Sequence, residues 1–251
     1  MKKFLILSDL HLDHDGKIND DELYLYFMNY IDKNFTIILN GDILDIIKYE
    51  LINFRYEYEN IRIKYPKIIN LLRENKNIIY IKGNHDAVLK RNNIHPNIYD
   101  EYNLEYSNFN IHFEHGSNFD IANSTCSCFG NLIARFWGCC CNSPVLLEED
   151  FIDSLEDIES NISHKKLKKK GFELNNDLTI FGHSHVQYIK TNYLNKTYIN
   201  TGCFSDDIID ETIIIINIKK NNIVSNIEIK QQKFNIKTKK IDIVSNQNII
   251  K

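Results

Sequence analysis

The chain has 251 residues, 43% apolar and 25% charged, with only three prolines and nine glycines, so it can bury a real core and no Pro-rich or Gly-rich linker divides it. A formal net charge of −4 and a pI near 6.1 provide no general basic face for a nucleic-acid backbone. Of six cysteines, five fall between Cys126 and Cys141, three of them adjacent, which reads as reduced thiols rather than a spaced disulfide framework.

Taken in order, Lys2 to Ser8 reads as a short buried strand that ends in Asp9-Leu10-His11. Its apolar part stops too early for a signal segment or a membrane span, and the expectation is a single cytoplasmic domain over 1–251. In extended chain, residues two apart share a side, so Asp9 and His11 can converge; the plainer reading is an ordinary polar turn. Asp13, His14 and Asp15 read as a solvated loop. Asp20 to Asp32 has acids in its first turn and Leu23, Tyr24, Phe27, Met28 and Ile31 at helical spacing, a core-facing helix. Phe35 to Leu39 is a second buried strand, followed by Asn40-Gly41-Asp42 and Asp45, with Gly41 turning the backbone so that Asp42 faces the same point.

Ile46 to Asn75 is helical, divided at Pro66, and its Arg55, Arg62 and Lys64 are either charges on a wet face or phosphate contacts. Strand Asn77 to Ile81 delivers Gly83-Asn84-His85-Asp86, and strand Phe109 to Phe113 delivers His115. His112, on the opposite side of that strand, reads as a packed or edge histidine. From 117 to 176 the pattern changes, with the cysteines, the apolar stretch Leu132 to Trp137, an acidic run and the basic run Lys165 to Lys170; this reads as a helical insertion over the site. Leu178 to Phe181 ends in Gly182-His183-Ser184-His185, repeating the two-apart pattern of Asp9 and His11. Tyr188 to Tyr193 with Lys196 to Asn200, and Thr212 to Ile218 with Ile223 to Ile229, read as hairpins, and the tail from Gln231 takes no assignment.

Five strands thus each end in metal-capable groups. The blocks S-D-L-H, N-G-D-x-x-D, G-N-H-D, H-G and G-H-S-H resemble the calcineurin-like metallophosphoesterases, from Asp9 to about Cys203. The resemblance implies an α/β (α+β) four-layer sandwich, two packed mixed sheets flanked by helices. It implies two divalent transition-metal ions, one taking Asp9, His11, Asp42 and His185 and the other Asp42, Asn84, His115 and His183, with Asp42 shared. Mixed oxygen and nitrogen ligands suit Mn first, and Fe, Zn or Co. A neutral Asn84 leaves the pair net positive for a phosphate, attack is direct with no phosphoenzyme, and His85 protonates the leaving oxygen with Asp86 or Asp45 orienting it.

Within the family, Gly-His-Ser-His, a hairpin and Asn200-Thr201-Gly202 are most similar to the bacterial branch related to UDP-2,3-diacylglucosamine diphosphatases. That branch carries arginine where this chain has His85, so the expected substrate is a general phosphate mono- or diester, with a lipid-linked pyrophosphate as the alternative. A non-catalytic binding module on the same fold is the rival of another class. The cysteine cluster 126–141 reads as inert thiols or as a zinc site from Cys126, Cys128 and Cys139 to Cys141, and the stretch 129–141 as a peripheral membrane contact that helps admit a lipid-bearing substrate.

Overall fold

A computed structural model of the chain describes residues 1–13, 15–16, 18–46, 54–89, 98–119, 162–204, 211–220, 225–235 and 240–250. Strands β1 (Lys2–Leu7), β2 (Phe35–Asn40), β3 (Ile78–Ile81) and β4 (Ile98–Tyr99) are parallel neighbours. Parallel strands are covered on both faces, which is why the first three are nearly unbroken Ile and Leu. β10 (Glu211–Lys220) joins antiparallel beside β1, and β11 (Ser225–Asn235) and β12 (Lys240–Ile250) extend the sheet, giving the order β12-β11-β10-β1-β2-β3-β4.

The second sheet has the order β5-β6-β7-β9-β8. Its centre, β6 (Phe109–Glu114), β7 (Leu178–Phe181) and β9 (Thr197–Asn200), is parallel, and β5 (Glu101–Tyr106) and β8 (Tyr188–Thr191) are antiparallel edges.

Period-two alternation sorts each strand's side chains between layers. Phe4, Ile6, Ile38 and Ile81 meet Ile111, Phe113, Leu178, Ile180 and Ile199 in a core between the sheets. Leu5, Leu7, Ile37, Leu39, Ile78 and Tyr80 point the other way, under helices α1 (Asp20–Ile31), α2 (Phe54–Lys64) and α3 (Pro66–Glu74). Asn19 caps α1, its Oδ1 accepting from the Asp21 and Glu22 amides. The Asp20 carboxylate accepts from the Lys67 and Ile68 amides at 3.0 Å each, so α1 satisfies the start of α3 that Pro66 opens. Helix α4 (162–173) covers the outer face of the second sheet, with Leu167 against Phe181 and Tyr198. Two packed mixed sheets with helices on their outer faces are the architecture expected.

Three elements differ from expectation. The unassigned tail is the second half of β11 and all of β12, paired from Asn226–Ile250 to Asn235–Lys240 with a register shift at Gln231/Gln232. β4 and β5 were not anticipated. Of the insertion 117–176, the described parts are a 3-10 turn at Ser117–Phe119 and residues from 162 onward; the cysteine cluster, the 129–141 stretch and the acidic run lie outside the described residues. Among the described residues, no helix is long and apolar enough to cross a membrane.

Leu167 is fully buried. Leu167→Ala is expected to cost about 2–5 kcal/mol by leaving a cavity under α4, measured by urea denaturation.

Candidate metal centre

The strand ends that the sequence singled out converge at one edge of the two sheets. The loops leaving β1 and β2 stay zipped together, the Asp9 amide donating to Gly41 O at 3.0 Å, His11 to Asp42 O at 3.0 Å and Leu12 to Ile43 O at 2.9 Å. Asp9, His11, Asp42, His183 and His185 all adopt left-handed backbone, with φ of 55°, 47°, 53°, 67° and 54°. The extended-chain account of Asp9 and His11 is therefore corrected: paired left-handed residues around a buried Leu10 turn both side chains toward one point. His183, the buried Ser184 and His185 repeat the device.

Two ligand groups result, Asp9 with His11 and His185, and Asp42 with His115 and His183, each with donor atoms within 4.8 Å of one another. Asp9 Oδ2 accepts from the Ser8 hydroxyl and the His183 amide, which leaves Oδ1 3.3 Å from His185 Nε2 and 3.9 Å from His11 Nε2. Asp42 Oδ1 accepts from the His85 amide at 2.8 Å, and Oδ2 lies 3.0 Å from His115 Nε2. In a neutral His115 ring, donation from Nδ1 to Asn40 O at 3.0 Å leaves Nε2 as a lone pair facing a carboxylate. Asp9 Oδ1, His11 Nε2, His115 Nε2 and Asn84 Oδ1 are buried with no hydrogen-bond partner. All four are atoms of metal-ligating type gathered at one point, which is where cations could satisfy them.

The electrostatics agree. Burial opposes charge on His115, but Asp42 and Asp9 outweigh it and push its pKa up to about 10. Burial works against the Asp42 carboxylate too, yet His115 holds it well below the usual range, and Asp9 is lowered likewise. Burial lowers the His11 pKa, which favours its neutral form. Without cations, protons on these imidazoles take the place of positive metal charge.

His85 Nδ1 lies 2.8 Å from Asp45 Oδ1, and Asp45 Oδ2 is 4.0 Å from His11 Nδ1. Burial lowers the His85 pKa, but the bond to Asp45 and the charge of Asp42 raise it overall. Of the two carboxylates expected to orient His85, Asp45 is in place. Asp86 is the correction: it is fully buried and its oxygens accept from Tyr80 OH and from the Ile43 and Gly83 amides. An adjacent number in the sequence did not make it an adjacent side chain.

Two glycines are dictated by contact. A Cβ on Gly41, at φ 93°, would sit 2.3 Å from His115 Nδ1, and one on Gly83 would sit 2.1 Å from Asp42 Oδ1. His112 is the packed histidine expected, buried between Asn103 and Glu114. Arg62 pairs with Glu59, and Lys64 donates to Gly16 O. Lys168 lies over the Tyr188 ring at 4.7 Å, and Lys170 is 3.7 Å from Glu173. Sequence reasoning missed Ser8 and Thr201, whose hydroxyls bond each other while Ser8 also bonds Asp9. Their positions inside the S-D-L-H and N-T-G blocks were the available signal.

A family model described as the Calcineurin-like phosphoesterase superfamily domain matches residues 2–221. No curated protein matches. Solved structures do. Vacuolar Protein Sorting 29 from Cryptosporidium parvum is 12% identical with a TM-score of 0.55, over 100% of this chain and 98% of that one. A dimetal phosphatase from Danio rerio is 10% identical at 0.53, over 99% and 98%. A conserved uncharacterized protein, a predicted phosphoesterase, from Streptococcus pneumoniae TIGR4 is 14% identical at 0.51, over 100% and 98%. At such identities the likeness concerns the fold.

Two outcomes follow from the site's geometry. An ion that binds His115 Nε2 must displace its proton at any pH below about 10. Apparent Mn affinity is therefore expected to rise about tenfold per pH unit for each proton displaced, read by competition titration with proton release. At position 185, where φ is 54°, His185→Gly in metal-free protein is expected to be about 1 kcal/mol more stable than His185→Ala, measured by thermal unfolding.

Proposed function

We propose that this chain, which belongs to the Calcineurin-like phosphoesterase superfamily, is a hydrolase that cleaves a phosphate mono- or diester at a centre of two divalent ions. The observation that carries this reading is the two neighbouring ligand groups, Asp9 with His11 and His185 and Asp42 with His115 and His183, in which Asp9 Oδ1, His11 Nε2 and His115 Nε2 are buried with no hydrogen-bond partner. Asp9, His11, Asp42 and His185 would hold one ion, and Asp42, Asn84, His115 and His183 the other. Ions of the Mn, Fe, Zn or Co class, with Mn preferred, would polarise the phosphoryl oxygens and acidify a water beside them.

The protein's own groups do the rest. Asp9 and Asp42 offset only part of the charge of two dications, and the neutral Asn84 amide adds none, so the centre stays attractive to a phosphate anion. The His183 amide and the Ser8 hydroxyl fix one oxygen of Asp9, directing the other inward. His85, with its raised pKa and Nδ1 held by Asp45, gives a proton from Nε2 to the leaving oxygen. That oxygen then departs neutral, without a covalent enzyme intermediate.

A UDP-2,3-diacylglucosamine-type hydrolase of a lipid-linked pyrophosphate is the second reading, favoured by the Gly-His-Ser-His and Asn-Thr-Gly blocks; His85 in place of arginine favours the general phosphoesterase. A scaffold role requires no proton donor. The complete ligand set together with the Asp45–His85 pair supports catalysis.

Mn-loaded protein is expected to hold two ions and to cleave an aryl phosphate or aryl phosphodiester. His85→Ala should keep both ions and lose turnover by about 10²–10⁴-fold, whereas Asn84→Ala should weaken one ion. Metal analysis beside steady-state kinetics decides, and fewer than about two ions per chain with no cleavage would refute the proposal.

A further inference from the structure

We infer that Tyr80 and Asp86 form a buried clamp across the two ligand loops, which makes the Tyr80 hydroxyl a positioning group for the ion held by Asp42 and Asn84. The inference rests on the two-ion reading above. Both side chains are fully buried. Asp86 Oδ2 accepts from Tyr80 OH at 2.6 Å and from the Ile43 amide at 2.9 Å, and Oδ1 accepts from the Gly83 amide at 2.6 Å. Ile43 directly follows Asp42, and Gly83 directly precedes Asn84. One carboxylate therefore spans both loops, with the phenol anchoring it from below.

The spacing it sets has no slack. Gly83 lies so close to Asp42 that a Cβ there would come within 2.1 Å of Oδ1. The His85 amide donates to that same Oδ1 at 2.8 Å, closing a ring of contacts from Asp42 through Ile43, Asp86 and Gly83 to His85. Displacing the β3 loop would carry Asn84 away from Asp42 and release the oxygen that the His85 amide holds. Charge-assisted bonds from buried donors are the strong class, and three of them converge on Asp86. Tyr80 reaches this point because it stands on the helix-facing side of β3, six residues before Asp86 and rooted among core side chains. Neither residue reaches the reacting atoms; both act through the loop backbone. Asn at 86 would turn an amide N–H toward a donor, so it breaks the clamp more severely than removal of the phenol hydroxyl does.

The test uses the full chain with Tyr80→Phe, Asp86→Asn and, as a control of similar modest destabilisation on the same strand, Ile78→Val. Amide hydrogen exchange on metal-free protein reads the clamp itself, and Mn titration reads its consequence. In Tyr80→Phe, the Ile43 and Gly83 amides are expected to exchange at least about ten-fold faster, and the Mn equivalent that Asn84→Ala weakens is expected to weaken by roughly 10–100-fold, more than the other. Asp86→Asn should show both effects more strongly, and Ile78→Val neither. The clamp is overturned if Tyr80→Phe lowers the unfolding midpoint as the control does but leaves exchange and Mn affinity at wild-type values. It is equally overturned if the Mn equivalent that weakens most is the one that Asn84→Ala spares. Wild-type protein that binds fewer than two Mn ions counts against the two-ion reading instead, and the exchange of Ile43 and Gly83 then decides the clamp alone.

Discussion

The arrangement at the strand ends depends on one electrostatic constraint: Asp9 and Asp42, both buried, face imidazole nitrogens across 3.0–3.9 Å with too few protons to satisfy every lone pair. Such a cluster is costly in a low-dielectric interior unless positive charge sits among the groups. The positive charges that lower Asp42 come from His115, His85 and His11, all titratable and none permanently cationic. A site of this composition is stable either with protons on its histidines or with cations between its ligands. The donation from His115 Nδ1 to Asn40 O selects the tautomer that suits the second state, because it reserves Nε2 for a ligand bond.

That constraint explains why the scaffold accepts local strain. Five site residues sit in left-handed backbone, a conformation that costs a non-glycine residue about 1–2 kcal/mol. The strain persists because the loops are fixed on both sides. The β1 and β2 loops hydrogen-bond to each other, Leu10 anchors one turn in the core, the Gly182 amide donates to His115 O within the second sheet, and the His183 amide, donating to Asp9 Oδ2, ties the two sheets' loops together. Parallel strands bring their C-terminal ends to a common edge, so ligands separated by more than a hundred residues meet without any long excursion of the chain. The close approaches at Gly41 and Gly83 then set how near the second-sheet histidine and the Asn84 loop come to Asp42.

How much of this was legible depended on where each residue's partners lie. The doubly covered strands β1, β2, β3 and β7 announce themselves as apolar runs ending in polar groups, so both the strands and the ligand blocks at their ends were readable. β5 hides because it is an edge: Leu104 is its one buried residue, and Glu101, Asn103 and Glu105 face solvent. β12 hides for a related reason, since Asn246, Asn248 and Ile250 are exposed on one side of an edge strand and the register shift opposite it breaks the alternation. Asp86 was misread because sequence adjacency to His85 suggested a shared task. Its true partners, Tyr80 and the backbone of Ile43, come from a core strand and from another loop, and neither relation leaves a pattern in the local sequence.

Fold alone does not select a function for this chain. The same architecture carries a dimetal phosphatase and a vacuolar sorting protein among its structural neighbours, at nearly equal likeness, so the sheets and helices are compatible with either. What differs between an enzyme and a scaffold is whether costly features survive that a scaffold does not need. This chain carries buried polar atoms with no hydrogen-bond partner, left-handed turns on three of the loops, and a histidine whose proton affinity is raised by a carboxylate placed against it. The orphan atoms and the left-handed turns oppose stability in the metal-free protein, and cations among them would offset that cost.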